Sequence, residues 1–422
     1  MKENKHTMDD LRLMQALPLD IKIAMTKRRI RDWINYYGED GVYVSFSGGK
    51  DSTVLLDIVR QDYPNVKAMF VDVPTQYPEL KQFVQTFENV DIVKPKISFM
   101  EVCKKYGFPL ISKEVSESVE GARKYLTKIL NERNAPTDRQ TDRQTDSTRI
   151  SISTIECADK ASMQSPTRGG KTTSIENSEE LANILNERMK SKSGGSNRRL
   201  AIMLGWLTKS KEKPIKANIP ERDRSNFAMT KWKFMLDAPF EISNKCCTVM
   251  KKEPSHRYNK MTGRHPITAQ MASESRLRTQ KWLQNGCNGF DLKEPISNPM
   301  SFWTDQDVLL YIRQHNLRIC SVYGDVVTDD EESGQLNFND IAGMEMFDLG
   351  NPTLHTTGCD RTGCCLCGFG CHLDKGCKGR FEMLKETHRG MYNLLDTVEN
   401  SGMTYREAID WLNEHGELNI RY

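Results

Sequence analysis

At 422 residues, with 60 Lys+Arg against 57 Asp+Glu and a mean hydropathy of −0.62, the chain has room for two or three domains of roughly 150 residues each, every one with its own core. A net charge of +3 neither demands nor excludes a nucleic-acid partner. Met1 to Asp10 is polar, and no run approaches about 18 consecutive apolar residues, so a cytoplasmic protein without a membrane partner is expected. Six of the 12 cysteines crowd between Cys359 and Cys377, which in an unexported chain points to metal or redox chemistry rather than disulfides.

From Leu11 to Tyr37 apolar residues recur at helical spacing around Pro18, which predicts one or two leading helices. Val42 to Phe46 is a short β-rich run, followed by a glycine turn and a helical pattern through Val54, Leu55, Leu56, Ile58 and Val59. The unit recurs as a strand at Val66 to Val71, a helix at Leu80 to Phe87 and a strand at Val90 to Val93. Strands separated by one helix imply right-handed crossovers, hence an α/β fold with a doubly wound parallel sheet. Further on, Pro266 to Met271 reads as a strand and Glu274 to Leu283 as a helix. Thr304 with Asp307 forms a capping box opening a helix through Val308, Leu309, Tyr311 and Ile312. Phe381 to Leu395 and Tyr405 to Glu414 read as helices of a Cys-rich C-terminal region.

Between Asn134 and Ser178 the composition turns polar. Thr137-Asp138-Arg139-Gln140 is repeated at Thr141 to Gln144, and Ile129 to Arg133 recurs at Ile184 to Arg188. Such a segment cannot bury enough apolar surface to offset its ordering entropy, so residues 134–183 are expected to be a disordered, dispensable insertion. The expected organisation is a helical lead-in over 1–40, a nucleotide-binding domain over 41–133 and 184–345, and the Cys-rich region over 346–422. Basic residues from Arg188 to Arg224, including Lys209, Lys211, Lys213 and Lys216, form either a solvated surface or a stripe for a nucleic-acid acceptor.

The clearest chemistry lies in Ser47-Gly48-Gly49-Lys50-Asp51-Ser52, between a strand and a helix. A phosphate chain needs many donors in a small concave space, and such a loop supplies backbone N–H groups and the positive end of the helix dipole. The glycines admit close approach, Ser47 and Ser52 add hydroxyls, and Lys50 adds an ammonium. Asp51 after Lys50 departs from a Walker A loop, and the spacing is not Gly-x-Gly-x-x-Gly. Val44-Ser45-Phe46-Ser47-Gly48-Gly49-Lys50-Asp51-Ser52 instead resembles the signature of the PP-loop, or adenine nucleotide alpha hydrolase-like, superfamily.

Within that superfamily the chain resembles the phosphoadenosine phosphosulfate (PAPS) reductase family. The resemblance rests on Phe70-Val71-Asp72 with Tyr77-Pro78-Glu79, on Tyr106 to Pro109 with Ser112-Lys113, on Cys246-Cys247 before Lys251 and Pro254, on Ser273 to Arg276, and on Trp303-Thr304 before Asp307-Val308. It departs from the family at Asp72-Val73-Pro74-Thr75, where Asp-Thr-Gly is usual. The resemblance implies an adenine nucleotide, either ATP or PAPS/APS, held by Ser45, Ser47, Gly48, Gly49, Lys50, Asp51 and Ser52. It places Asp72 near the adenosine and Lys251, Arg276 and Arg278 at the anionic end. Lys50, Asp51 and Arg276 are the catalytic candidates, with Asp51 orienting the loop or helping to hold Mg2+ if ATP is the substrate.

Cys364 and Cys367 form a Cys-x-x-Cys, and four thiolates can enclose an iron–sulfur cluster or zinc. Resemblance to the adenylyl-sulfate-reducing branch implies a [4Fe–4S] cluster on Cys246, Cys247, Cys364 and Cys367, with zinc as the alternative and Cys359 as the substitute ligand. The reductases carry a nucleophilic cysteine in a C-terminal Glu-Cys-Gly-Leu-His segment. Here Gly370-Cys371-His372-Leu373 is a partial echo, and its place in the cysteine cluster favours a structural role. Three readings follow: a sulfonucleotide reductase with an atypical thiol and a thiol reductant protein, an ATP pyrophosphatase that adenylates an acceptor for a sulfur donor, as in nucleic-acid thiolation, or a nucleotide sensor without turnover.

Overall fold

The computed structural model describes residues 4–134, 203, 229–328, 353–374 and 378–422. Nearly all of the expected insertion 134–183, the basic stretch Arg188 to Arg224, Cys157 and Cys377 lie outside the described residues. The chain divides into two compact units, Met1–Ser98 with Thr248–Cys365, and Phe99–Cys247 with Leu366–Tyr422.

The first unit is built on a six-stranded sheet. Its order is Val90–Val93, Ala68–Val71, Val42–Ser45, His265–Ile267, Ile296–Ser297 and Asn288–Gly289. Every neighbouring pair is parallel except the last, which is antiparallel. Successive side chains of a strand point to opposite faces, and the strands use both faces. Val42, Val44, Phe46, Ala68, Phe70 and Ile267 enter the large core, while Tyr43 and Met69 pack with Tyr258 on the other side.

Helices cover each face. Leu19–Tyr37 contributes Ile30, Trp33 and Ile34 to the large core, Lys50–Asp62 contributes Val54, Leu55, Leu56, Ile58 and Val59, and Asp305–Gln314 contributes Val308, Tyr311 and Ile312. Glu253–Thr262 brings Tyr258 to the opposite face. A doubly wound parallel sheet is thus the architecture. Pro266 has no N–H to give a neighbour, and the pairing of its strand with Ile296–Ser297 is confined to Ile267 opposite Ser297.

Local rules account for several boundaries. Pro18 ends one leading helix, Met8–Gln15, and caps the next at Leu19. Thr304 and Asp307 make the expected reciprocal cap. Asp307 has a second role, because Lys22, buried with its side chain 2% exposed, places Nζ 2.7 Å from the Asp307 carboxylate and 2.7 Å from the Gln15 carbonyl. The indole of Trp303 donates to Thr26 Oγ1 at 2.9 Å inside the same core.

The second unit has two-residue strands and is tied by side chains. Gly368–Phe369 pairs in parallel with Leu110–Ile111. Gly107 has φ +98°, and a Cβ there would lie 2.4 Å from the Glu241 backbone, so this crossing admits only glycine. Arg123, on the helix Lys113–Asn134, donates to the carbonyls of Phe240, Met235 and Ala238 at 2.6–2.8 Å. Tyr405 Oη, fully buried, accepts from Gly368 N and lies 3.0 Å from the Leu366 carbonyl. Asn400 donates to the carbonyl of Cys103 at 2.9 Å. The expected helix Phe381 to Leu395 is in three pieces, Arg380–Thr387, Arg389–Tyr392 and a 3-10 turn over Asn393–Asp396. The break falls at His388, whose backbone leaves the helical region (φ −137°, ψ 60°) and whose carbonyl receives the N–H groups of both Met391 and Tyr392.

Candidate functional site

Ser45 ends its strand, and the chain turns at Gly48 with φ +75°, a conformation costly for any residue with a Cβ. A side chain there would also meet Val84 Cγ2 at 3.0 Å and Leu80 at 3.3 Å. Gly49, in extended conformation, precedes the first helical residue, Lys50, and as the N-cap it has no side chain of its own to cap the helix. The loop is braced internally: Ser47 N donates to Ser52 Oγ at 3.2 Å, the two serine hydroxyls lie 3.0 Å apart, and Ser52 and Thr53 hydroxyls donate to the Gly49 carbonyl at 2.9 and 3.0 Å.

The Lys50 ammonium, its side chain only 3% exposed, reaches Asp51 Oδ1 at 3.0 Å and Asp305 Oδ1 at 2.6 Å. Burial opposes its charge, but the two carboxylates outweigh burial and raise its pKa above the ordinary lysine value. Its backbone N–H donates to Tyr323 Oη at 3.1 Å, and that hydroxyl lies 2.7 Å from Thr362 Oγ1. Asp72 sits at the end of the neighbouring strand, paired with Lys81 Nζ at 2.8 Å.

A cavity of about 590 Å3 in the same unit is lined by Tyr43 and Ser45 and by the cations Lys251, Lys252, Arg278 and Lys281. Three of the expected contact residues, Ser45, Lys251 and Arg278, therefore share one concave surface. Arg276 opens the helix that carries Arg278 and is not among the lining residues. Arg278 is ion-paired with Glu274. Burial lowers its pKa, as does the neighbouring Arg361, while Asp51 acts in the opposite sense and links the loop electrostatically to the cavity cations. Ser45 reaches this surface, but Ser47 to Ser52 and Asp72 are not among its lining residues; a concave surface rich in cations suits a phosphorylated or sulfated ligand.

The cysteines divide. Cys246 is buried and Cys247, Cys364 and Cys367 are half-buried, none of them in a disulfide. Cys364 belongs to the first unit, and Cys246, Cys247 and Cys367 to the second. Four thiols are chemically suited to iron–sulfur or zinc, yet among the described residues no three His, Cys, Asp or Glu side chains come together as a metal site. Cys359 lies 3.8 Å from Tyr77 Oη, and burial raises its pKa. Burial pushes the thiols of Cys365 and Cys371 up to about 12. Cys371 also donates to the Gly368 carbonyl at 2.8 Å.

Asp305, Tyr323 and Thr362 were not expected at the loop. Asp305 is 255 positions from Lys50, and only the fold brings the two together.

Sheet and loop together define an α/β protein of PP-loop type. Residues 41–144 and 211–368 match the phosphoadenosine phosphosulfate reductase domain, and the chain belongs to that family. It is also similar to a crystal structure of phosphoadenylyl-sulfate (PAPS) reductase from Candida auris in a phosphate complex, at 12% identity over 76% of this chain and 92% of that one, with a TM-score of 0.31. Among the described residues no helix is long and apolar enough to cross a membrane.

Proposed function

We propose that this chain is a cytoplasmic enzyme of sulfur metabolism that seats the phosphates of an adenine nucleotide on Ser47 to Ser52. The carrying observation is the loop itself, with its positive-φ glycine, its glycine at the helix N-cap and the buried Lys50 ammonium. Lys251 and Arg278 hold the anionic end of the substrate in the cavity, Asp72 lies toward the adenosine, and Asp51 orients Lys50 and helps to hold Mg2+ when ATP is bound. Arg276 is the remaining catalytic candidate.

Of the two reactions open to such a site, ATP cleavage is favoured by the state of Cys371. A thiol that is buried, bonded to a carbonyl and pushed up to about 12 is a poor nucleophile at neutral pH. In the favoured reaction an acceptor oxygen attacks the α-phosphorus and expels pyrophosphate, and a sulfur donor then displaces AMP. A nucleic acid is one candidate acceptor. The second reading, sulfonucleotide reduction with a thiol reductant protein, needs an atypical thiol outside the metal ligands. Cys246, Cys247, Cys364 and Cys367 are the candidate ligands of a [4Fe–4S] cluster or of zinc, a reading supported by their donor chemistry.

One anaerobic preparation tests these points. AMP with pyrophosphate is expected from ATP, whereas sulfite with adenosine bisphosphate from PAPS would select the reductase. Lys50→Ala should weaken nucleotide binding by about 1.5–3 kcal/mol while the far-ultraviolet circular dichroism stays that of the wild type. Equal affinity in the two proteins would remove the loop assignment, and iron, sulfide and zinc contents decide the metal.

A further inference from the structure

Three hydroxyls converge on Gly49. A Cβ built on this glycine would lie 3.1 Å from Tyr323 Oη, 3.1 Å from Thr362 Oγ1 and 3.2 Å from Ser47 Oγ. Two of the three come from outside the loop. Tyr323, on the 3-10 turn Ser321–Tyr323, is 2% exposed, and its hydroxyl takes the first backbone N–H of the helix, that of Lys50. The Lys50 side chain is occupied in parallel by the carboxylate of Asp305 at 2.6 Å. The donors that make a strand–loop–helix junction an anion site are its leading N–H groups and its lysine. Here one of those N–H groups and the lysine are each held by an oxygen from a distant part of the chain.

We infer that Tyr323, braced by Thr362, is an affinity-setting latch on the phosphate loop, its hydroxyl standing where an oxygen of a bound phosphate would take the Lys50 N–H. The inference rests on the nucleotide reading above and deepens it. A single N–H cannot serve the tyrosine and a ligand oxygen equally well, so a phosphate that takes this donor must displace the hydroxyl. Thr362 strengthens the hold by tying the Tyr323 hydroxyl in place at 2.7 Å. Asp305 adds a charge component, because a ligand that takes the Lys50 ammonium must also compete with a carboxylate whose side chain is 51% exposed and can be resolvated on release. The loop therefore favours ligands with enough negative charge to compete at both points. Unphosphorylated adenosine has nothing to offer at either.

The sign of one substitution separates a latch from a ligand contact. Tyr323→Phe removes the competing oxygen and keeps the ring in the core, so binding of ATP or of PAPS should tighten by about three- to tenfold, the worth of one hydrogen bond. Amide hydrogen exchange over Ser47 to Thr53 should quicken in the absence of nucleotide. Thr362→Val, which leaves Tyr323 unbraced, should tighten binding in the same direction by a smaller factor and serves if the phenylalanine variant folds poorly. Weaker binding in Tyr323→Phe would make the hydroxyl a substrate contact and overturn the latch, and unchanged binding would overturn it equally. The two readings fail differently. If the wild type binds nucleotide in a Lys50-dependent way and neither variant binds more tightly, only the latch falls. If the wild type and both variants bind no adenine nucleotide, the loop assignment falls and takes the latch with it.

Discussion

The two units solve the problem of backbone satisfaction in different ways. In the first, the sheet does most of the work, with parallel strands in extended register from Val90–Val93 to His265–Ile267 and two faces filled by alternating side chains. In the second the strands are two residues long, and carbonyls at least partly buried are met by side chains: Arg123 reaches three of them, Asn400 reaches Cys103, and Arg380 reaches Phe369, whereas the similar reach of Arg60 in the first unit, to Val66, Glu88 and Asn89, is mostly exposed. A sheet spreads its stability over many equivalent bonds, whereas a clamp concentrates it in one residue. The second unit should therefore be the more sensitive to single polar substitutions.

The largest effect is expected from Arg123→Ala, which leaves the carbonyls of Met235, Ala238 and Phe240 without their charged donor. A loss of about 3–5 kcal/mol is expected, with faster amide exchange in Phe99 to Tyr106 and in the helix Tyr405–Gly416 than in the strands of the first unit. Uniform loss of protection across both units would show that the clamp is not local. The matching substitution in the first unit, Thr26→Val, strips the buried Trp303 indole of its acceptor and should cost about 1–3 kcal/mol by denaturant titration. A drop as large as that of Arg123→Ala would erase the contrast between the units.

The smallest effect has a pH signature. Asp374 accepts from Arg380 Nε at 2.9 Å and Nη2 at 2.6 Å. Burial alone would raise its pKa, but the Arg380 bonds outweigh it and hold the carboxyl below its usual value. A depressed carboxylate contributes its stability above its ordinary pKa of about 4 and loses it as the pH falls through the depressed value. Asp374→Asn should thus be less stable than the wild type by about 1 kcal/mol at neutral pH, a figure discounted for the partly exposed arginine. The two melting curves should converge below about pH 4. A difference that persisted in acid would assign the loss to packing instead.

Legibility in the sequence follows the same division. The strand–glycine–helix unit at Val42 to Val59 and the cap at Thr304 and Asp307 are local, and both are found where their residues predict them. Loop geometry was readable because Gly48 and Lys50 act within a few residues of each other. Tyr323 and Asp305 were not, since nothing near either residue signals a partner hundreds of positions away. The long helix Lys113–Asn134 was missed for a different reason. Its buried residues Val115, Val119, Ala122 and Leu126 keep a helical period, but the serines Ser116 and Ser118 are buried among them, so apolar residues alone do not mark the whole buried face. For the cysteines, Cys-x-x-Cys spacing stands out in the sequence, but the burial that silences Cys365 and Cys371 is a property of the fold alone.

The sheet order also bears on how the protein is made. Val42–Ser45 lies in the middle of the sheet, between Ala68–Val71 and His265–Ile267. The first neighbour leaves the ribosome soon afterwards, but Val42 meets His265 only once all of Phe99–Cys247 has been synthesised. At roughly 5–20 residues per second that interval is on the order of ten to forty seconds. During it one side of the central strand is an open parallel edge whose side chains, Val42, Tyr43 and Val44, are all destined for burial. The nascent chain thus carries a sticky half-sheet throughout that interval, and chaperone demand should peak before His265–Ile267 emerges.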